Sequence, residues 1–485
     1  MRSLRCSSAP LGSPRRSRGR GLCAPNLSPT PPHRPAATRL IGAGGAARRL
    51  GHLDFALLSI YWIAVGYLWT SLGGLIIPDL VLDLVGKEHK GVALGVLEGI
   101  GSVMAIVWQP LIGAVSDRTQ TRWGRRRPFI VVGTVGDVIF LIGLALSGSY
   151  GLVLIFYFLL QTASNTAQGP YQGLMPDVVP APQRGTASGY YGVSNAIGLL
   201  AGTVGAGFIL SHFGRTAAIL SIGVLLIATM LPTVLLIPDR AQRKQEPFKG
   251  IRDALVTTFG RPLRLPGFMW LMASRLLILM GLVGIQTFAF FYFNDVFFAG
   301  DRQATIKATY TLLGLVIITS FIVALPAAWA SDRLGRRPFI LFGGLIGAAG
   351  LLMLMFSNHQ LLPPLLVQPL AHALKVPYLA AQATLVGVLI GIGYGLFYSV
   401  DWAFIQDVIP RDESGLFMGF SNIATAGSGI IARFVGGFLL DPFNAGPHIL
   451  GMPGGYPVIF SVFCAWLVIG ALLILKVPES RAHAA

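Results

Sequence analysis

The chain has 485 residues, of which 53% are apolar and 12% charged, with a formal net charge of +17. Soluble domains carry about 25% charged residues, so half the usual solubilising charge excludes a water-soluble protein. The 60 Gly and 31 Pro are interleaved with Leu, Ile, Val and Phe, as in membrane helices, and the positive balance leaves nucleic-acid binding as the alternative to settle.

Residues 1–52 hold ten Arg, no acid, and clusters such as Ser28-Pro29-Thr30-Pro31-Pro32. Without apolar periodicity this segment is expected to be a disordered basic tail. An organelle transit peptide has a similar composition, as does upstream sequence added by a mis-assigned start. No cleavable secretory signal is expected, because the first apolar run, from Asp54 to about Leu82, is too long for a signal core.

From Asp54 onward, apolar runs recur at lengths that cross a bilayer, which takes about 20 residues per helix. The spans are expected at 54–80, 91–115, 129–147, 151–173, 187–211, 215–237, 267–298, 306–330, 339–356, 378–403, 416–440 and 456–477. Twelve such helices, each satisfying its own backbone, leave no room for an extramembrane domain. The chain then divides into the tail 1–52, a six-helix half 53–237, a cytoplasmic linker 238–266, a second half 267–477 and a short tail 478–485.

Orientation follows from the loops. With the N-terminus inside, 29 of the 37 Lys and Arg fall on the inner side and 6 in outer loops, which predicts two cytoplasmic termini. The net charge therefore records topology, and no nucleic-acid partner is expected.

The halves resemble each other. Gly124-Arg125-Arg126-Arg127-Pro128-Phe129-Ile130 follows span two and Gly335-Arg336-Arg337-Pro338-Phe339-Ile340 follows span eight, each preceded by Ser-Asp-Arg at 116–118 and 331–333. After spans four and ten, Asp177-Val178-Val179-Pro180 with Gly185 and Gly189 matches Asp407-Val408-Ile409-Pro410 with Gly415 and Gly419, at a constant offset of 230. Two matches at equivalent places indicate duplication.

The loop from Gly113 to Pro128 resembles the signature loop between helices two and three of the major facilitator superfamily. Gln109-Pro110, Gly113, Ser116-Asp117-Arg118, Arg122 and the Gly124–Ile130 run are similar to the plant sucrose-proton symporters and their bacterial and animal relatives, near the glycoside-pentoside-hexuronide cation symporters. Asn165-Thr166-Ala167-Gln168-Gly169-Pro170, Leu174 and Asp177 agree with that group's fourth helix, and Gly66-Tyr67-Leu68-Trp69 with Pro78 fits its first more loosely. The resemblance implies an all-α polytopic membrane protein of the major facilitator fold, working by rocker-switch alternating access with its cavity between two pseudo-symmetric halves.

This chain departs from the sucrose symporters in one important place. Where their fourth helix carries an acid before the Asn pair and an Arg after the Gly-Pro, it has Gln161 and Gln172. Neither amide carries a proton, so the coupling residue must lie elsewhere or the transport must differ.

The ionisable groups within or at the ends of spans are Asp79, Glu98, Asp137, Arg275, Asp295, Asp401, Arg433 and Asp441. Each costs at least ~2.5 kcal/mol at mid-span, so function is the default expectation. Asp401 and Glu98, then Asp137, are the coupling candidates, with a structural ion pair to Arg275 or Arg433 as the alternative for each. Asp79, Asp295 and Asp441 are expected to cap helix ends at the outer surface. Asp117 with Arg118, Arg125 and Arg126 is expected to latch the halves on the inner side. Arg122 belongs to the same gating loop, and Asp332, Arg333, Arg336 and Arg337 to its repeat.

A sugar site wants planar rings for apolar faces and amides for hydroxyls. Candidates are Tyr67 and Trp69 on span one, Gln161, Asn165 and Gln168 on span four, and Tyr191 and Asn195 on span five. The second half offers Gln286, Tyr394, Tyr398 and Asn422. Any single ring is as readily packing or an interface anchor.

The eight His show no metal-ligand spacing, and Cys6, Cys23 and Cys464 build no disulfide framework. No nucleotide-binding Gly-x-x-x-x-Gly-Lys loop occurs. A non-enzymatic secondary transporter with no cofactor is expected, driven by a proton or sodium gradient. Its partners would be a small-molecule solute, the coupling ion and the lipid bilayer, and it would work as a monomer in the plasma or inner membrane. Import of a sugar or glycoside is the leading expectation. Efflux or exchange of another small organic solute is the alternative, and a non-transporting membrane sensor a third.

Overall fold

The computed structural model describes residues 50–119, 121–237, 262–409 and 414–478. Nearly all of the expected tail, most of the linker and the side chains of Asp117, Arg118 and Asn422 lie outside the described residues. The described chain is built of long helices: α1 (His52–Val85), α2 (Lys90–Arg118), α3 (Arg127–Ala145), α4 (Tyr150–Val178), α5 (184–213) and α6 (215–236). After the linker come α7 (Pro266–Phe298), α8 (Arg302–Leu334), α9 (Arg337–Met355), α10 (Tyr378–Val408), α11 (Ser414–Asn444) and α12 (Gly455–Leu473). Nine helical stretches among the described residues are long and apolar enough to cross a membrane. One of them, 184–236, breaks at Gly214, whose φ of 84° and ψ of 177° are open to glycine at little cost. The chain reverses there. Gly198 packs on Ile63 and Gly202 on Tyr67, whereas Ser221 bonds Tyr67 and Thr233 bonds Leu57, so α5 runs along α1 and α6 runs back.

Most helix ends outrun the expected spans, by up to five residues, because a helix continues past the hydrocarbon into the interface, while α3, α6, α9 and α12 end one to four residues short. One element was not expected: a short helix, Pro364–Leu374, between α9 and α10. It buries Val367 against Val376, Ala380 and Ala381 and leaves Leu365 and Leu366 exposed. Alternating connections put the two Ser-Asp-Arg loops at one end of the bundle, here the basic-loop end; the other is the far end.

Pro78 has no amide hydrogen for the carbonyl one turn back, and a π-turn at Leu72–Ile76 absorbs the defect. The turn lies next to Trp69 and carries Gly73, both of which matter below. Helices α1–α6 meet α7–α12 through small residues toward the far end. A Cβ on Gly95 of α2 would come within 2.8 Å of the Arg433 carbonyl of α11, and one on Gly437 within 2.2 Å of the Gly91 carbonyl. Overpacking typically costs about 1–3 kcal/mol, so Gly437→Val is expected to shift the molecule about tenfold or more toward a form parted at the far end. Faster labelling of a cysteine placed at Gln161 by an impermeant reagent added from the far end would show it, and unchanged labelling would contradict it.

Candidate functional site

Glu98, Ser102, Ala105 and Gln109 recur at spacings of four, three and four, so they share one face of α2. Tyr157, Gln161, Asn165 and Gln168, spaced four, four and three, share one face of α4. These two faces meet Trp69 and Gly73 of α1, Val283 of α7, and Thr425, Gly429 and Arg433 of α11 around a cavity of about 280 Å³. Glu98 lies about 12 Å along α2 from Lys90 at 1.5 Å per residue, so the cavity is deep within the bundle.

The cavity is polar and charged. Arg433 Nε lies 3.4 Å from Glu98 Oε2, and its Nη1 donates to Ser102 Oγ at 2.8 Å, tying α11 to α2 across the cavity. Glu98 Oε1 is buried with no hydrogen-bond partner. Asn165 Nδ2 donates to the Gln161 carbonyl at 2.7 Å, Gln161 Nε2 to Tyr157 OH at 3.1 Å, and Gln168 Nε2 to Ser164 Oγ at 2.8 Å. The donors are thus held by the helix itself. Among the described residues the Asn165 and Gln168 amide oxygens have no protein donor, which leaves acceptors facing the cavity.

A second, mostly apolar cavity of about 120 Å³ shares Val283 with the first and is lined by Thr70, Gln286 and Tyr394, among others. Tyr398 packs on Tyr394 with ring centroids 5.1 Å apart. Asp401 and Arg275 form an ion pair with side chains 1% and 2% exposed, and Arg275 Nη2 donates to Thr425 Oγ1 at 2.9 Å. Asp401 therefore reaches the first cavity only through Arg275 and Thr425.

The structure separates the sequence candidates. Trp69, Gln161, Asn165, Gln168 and Glu98 come together, and Gln286 and Tyr394 line the second cavity. Tyr67 does not line either cavity: its hydroxyl bonds Ser221 Oγ at 2.8 Å within α1–α6. Tyr191 stacks on Tyr171 and meets Trp62, a packing cluster. Asn195 is partly buried but lines neither cavity. Asn422 lies outside the described side chains. Sequence reasoning missed Ser102, Gln109 and Tyr157, which the four-three spacing from Glu98 and Gln161 could have revealed, and Thr425 on α11, for which that spacing gives no signal.

At the basic-loop end the duplicated motifs build the same contact twice. Arg125 Nη2 and Arg126 Nε bind Asp177 Oδ2 at 2.5 and 3.0 Å, and Arg126 Nη1 donates to Ser116 Oγ at 2.8 Å. Arg336 Nε binds Asp407 at 2.5 Å, and its other nitrogens reach Ser331 Oγ at 3.3 Å and Asp332 at 3.1 Å. Arg333 lies over the Trp329 ring, and Arg122 is exposed. Each described pair stays within its own set of six helices. The expected latch between halves is not what Arg125 and Arg126 form with these partners, because Asp177 on the adjacent helix is their acid; Asp117 and Arg118 lie outside the described side chains.

Besides the Arg433 contacts to Glu98 and Ser102 in the cavity, further charged contacts between the two sets are at the far end. Asp79 of α1 takes Arg302 of α8 through two bonds of 2.6 and 2.7 Å, beside Arg215 at 2.8 Å. Lys90 of α2 pairs with Asp295 of α7, which also accepts from Tyr456 at 2.6 Å. Asp441 of α11 accepts the Gly91 and Val92 amides at 2.9 and 2.7 Å, a carboxylate at the positive end of α2. Two of the three expected helix caps are corrected here, since Asp79 and Asp295 are inter-helix ion partners; Asp441 does cap a helix end, that of α2 in the other set.

Such a bundle, with apolar helices around a deep polar cavity and charged contacts across its middle seam, defines a multi-pass membrane protein built around a buried solute-sized space. The sequence model of the Major Facilitator Superfamily matches residues 53–432 and 299–485, and the chain belongs to that family. It is 23% identical to the sucrose transport protein SUT5 of Oryza sativa subsp. indica, over 90% of this chain and 89% of that one. It is 25% identical to the sucrose transport protein SUC4 of Arabidopsis thaliana, over 79% and 82%. Among solved structures, a D-xylose-proton symporter superposes with a TM-score of 0.65 at 15% identity, covering 89% of this chain and 99% of that one. The nucleoside transporter NupG gives 0.63 at 14%, covering 88% and 98%. These structures show the shared fold.

Proposed function

We propose that this chain is a proton-coupled transporter that imports a sugar or glycoside through twelve membrane crossings by alternating access. The observation that carries it is the cavity lined from both sets of helices by a ring, amides and one opposed charge pair. Trp69 offers a flat face to a pyranose ring. The Asn165 and Gln168 oxygens and Glu98 Oε1 accept hydroxyls, and Arg433 donates. The space is at the lower edge of the range of small-molecule sites. The relatives named for sucrose transport and the symporter named for D-xylose and protons support the substrate class and the driving ion. The basic-loop end is cytoplasmic in this reading, with both termini inside the plasma or inner membrane and a monomer as the working unit. The contacts at the far end then make this the inward-facing form.

Gln161, in place of the acid of the sucrose symporters, favours a second reading, gradient-independent exchange of another small organic solute. A panel of glycosides, nucleosides and amino acids, scored by thermal stabilisation of the purified chain, separates the two. A true substrate at 100 times its Kd stabilises by about 2.7 kcal/mol. Stabilisation by a glycoside, lost in Asn165→Ala, is expected; stabilisation by another class alone would replace the sugar reading.

A further inference from the structure

Among the described residues, Asp137 is the carboxylate whose two oxygens are both buried without a hydrogen-bond partner. It sits near the middle of α3 and is 0% exposed. The groups facing it come from three helices. From α4 the Ser164 hydroxyl lies beside it without reaching hydrogen-bond geometry. From α1 the Tyr61 hydroxyl is within electrostatic reach but is engaged with Thr134 Oγ1 at 2.7 Å. On the α6 side, Val138 meets Gly223, an apolar contact. No basic side chain among the described residues pairs with Asp137, whereas Glu98 and Asp401 each have an arginine.

Three carboxylates within the bundle are thus held in two charge environments. A guanidinium beside a carboxylate favours the anion. An anion with neither cation nor hydrogen-bond donor is costly at mid-membrane, by at least several-fold in population on any insertion scale, and the neutral acid avoids that cost. Of the three, Asp137 is the one built to hold a proton. It is also placed to communicate with the cavity. A Cβ on Gly133 would come within 2.5 Å of the Ala167 amide, so α3 and α4 touch backbone to backbone beside the carboxyl. Ser164 in turn accepts from Gln168, which lines the cavity. One serine and one glutamine, on one face of α4, separate the buried acid from the solute space.

We infer that Asp137 binds the coupling proton, and that the α3–α4 packing seen here is the proton-occluded arrangement. The carboxylate gains the proton when those helices part and loses it to solvent at the opposite stage of the cycle. A solute touching Gln168 biases the position of Ser164 and so the exchange. The coupling function that the sucrose symporters place on the fourth helix is carried here from the neighbouring third. The inference rests on the gradient-driven transport proposed above.

Its test uses the full chain in proteoliposomes and in detergent. The wild type is expected to concentrate a transported glycoside up to about tenfold per imposed pH unit, and Asp137→Asn, a mimic of the neutral acid, to equilibrate it without concentrating it while keeping sugar counterflow. Whether or not sugar is transported, the infrared difference spectrum of wild type minus Asp137→Asn at neutral pH is expected to show the carbonyl stretch of a neutral carboxylic acid. Asp137→Asn accumulating sugar like the wild type, or a difference spectrum without that band, would overturn the inference. Absence of glycoside counterflow in both proteins would instead overturn the transport reading, and the spectrum would still decide the protonation of Asp137.

Discussion

Asp79→Asn is expected to raise the population of the form open at the far end about 5- to 150-fold. Asp79 is 3% exposed at its side chain and receives both Arg302 from the other set of helices and Arg215 from its own. In any form open at the far end α1 and α8 separate, so the Asp79–Arg302 bonds contribute only to the closed form. Arg302 is 44% exposed, which screens the pair, and breaking fully buried pairs costs about 3–5 kcal/mol. A differential of about 1–3 kcal/mol follows, and this is the quoted range. Spin-label distances across the far end of α1 and α8 would report it. Replacing Arg302 should give a shift of similar size, and the double replacement little more, because both remove one interaction. An unchanged distance distribution in Asp79→Asn would mean that the small-residue contacts between α2 and α11 close the far end without it.

The second large effect is on the solute. Glu98→Gln is expected to weaken glycoside binding about 100-fold. Its side chain is 4% exposed and faces Arg433, 22% exposed, across the cavity. The change removes the strongest hydroxyl acceptor in the cavity and leaves Arg433 without its counter-charge, at about 3 kcal/mol at the lower end for buried pairs. Adding Arg433→Gln should recover thermal stability, because no unpaired charge remains, but not binding. A double variant that regained both would make the pair a structural tie between α2 and α11. A single variant that bound normally would take Glu98 out of the site.

Much of this architecture is legible in the residues alone, for a physical reason. Lipid offers no hydrogen bonds, so the chain must cross as helices, and apolar runs mark them to within a turn or so. The repeat was equally plain: Asp177 and Asp407, matched at one offset, each take an arginine of the Gly-Arg-Arg loop that precedes the following helix. Rotation of each helix about its axis was not plain. Tyr67 and Trp69 are two residues apart on α1, so they point to different faces, and only Trp69 meets the cavity. Polar faces spaced four and three on α2 and α4 carried that information, more reliably than single aromatic rings. Asp79 and Asp295 read as caps because sequence shows a helix end but not the helix set against it, and Asp441 is a cap, but of the helix set against its own. Asp137 looked the weakest of the three coupling candidates, and its isolation from the described arginines could be seen only once the helices were packed.

Sugar uptake into proteoliposomes with and without an inside-alkaline pH gradient tests the central claim most directly. A glycoside accumulating above its outside concentration only when the gradient is imposed is the expected result. Failure of every glycoside tested to enter, with or without the gradient, would contradict the account.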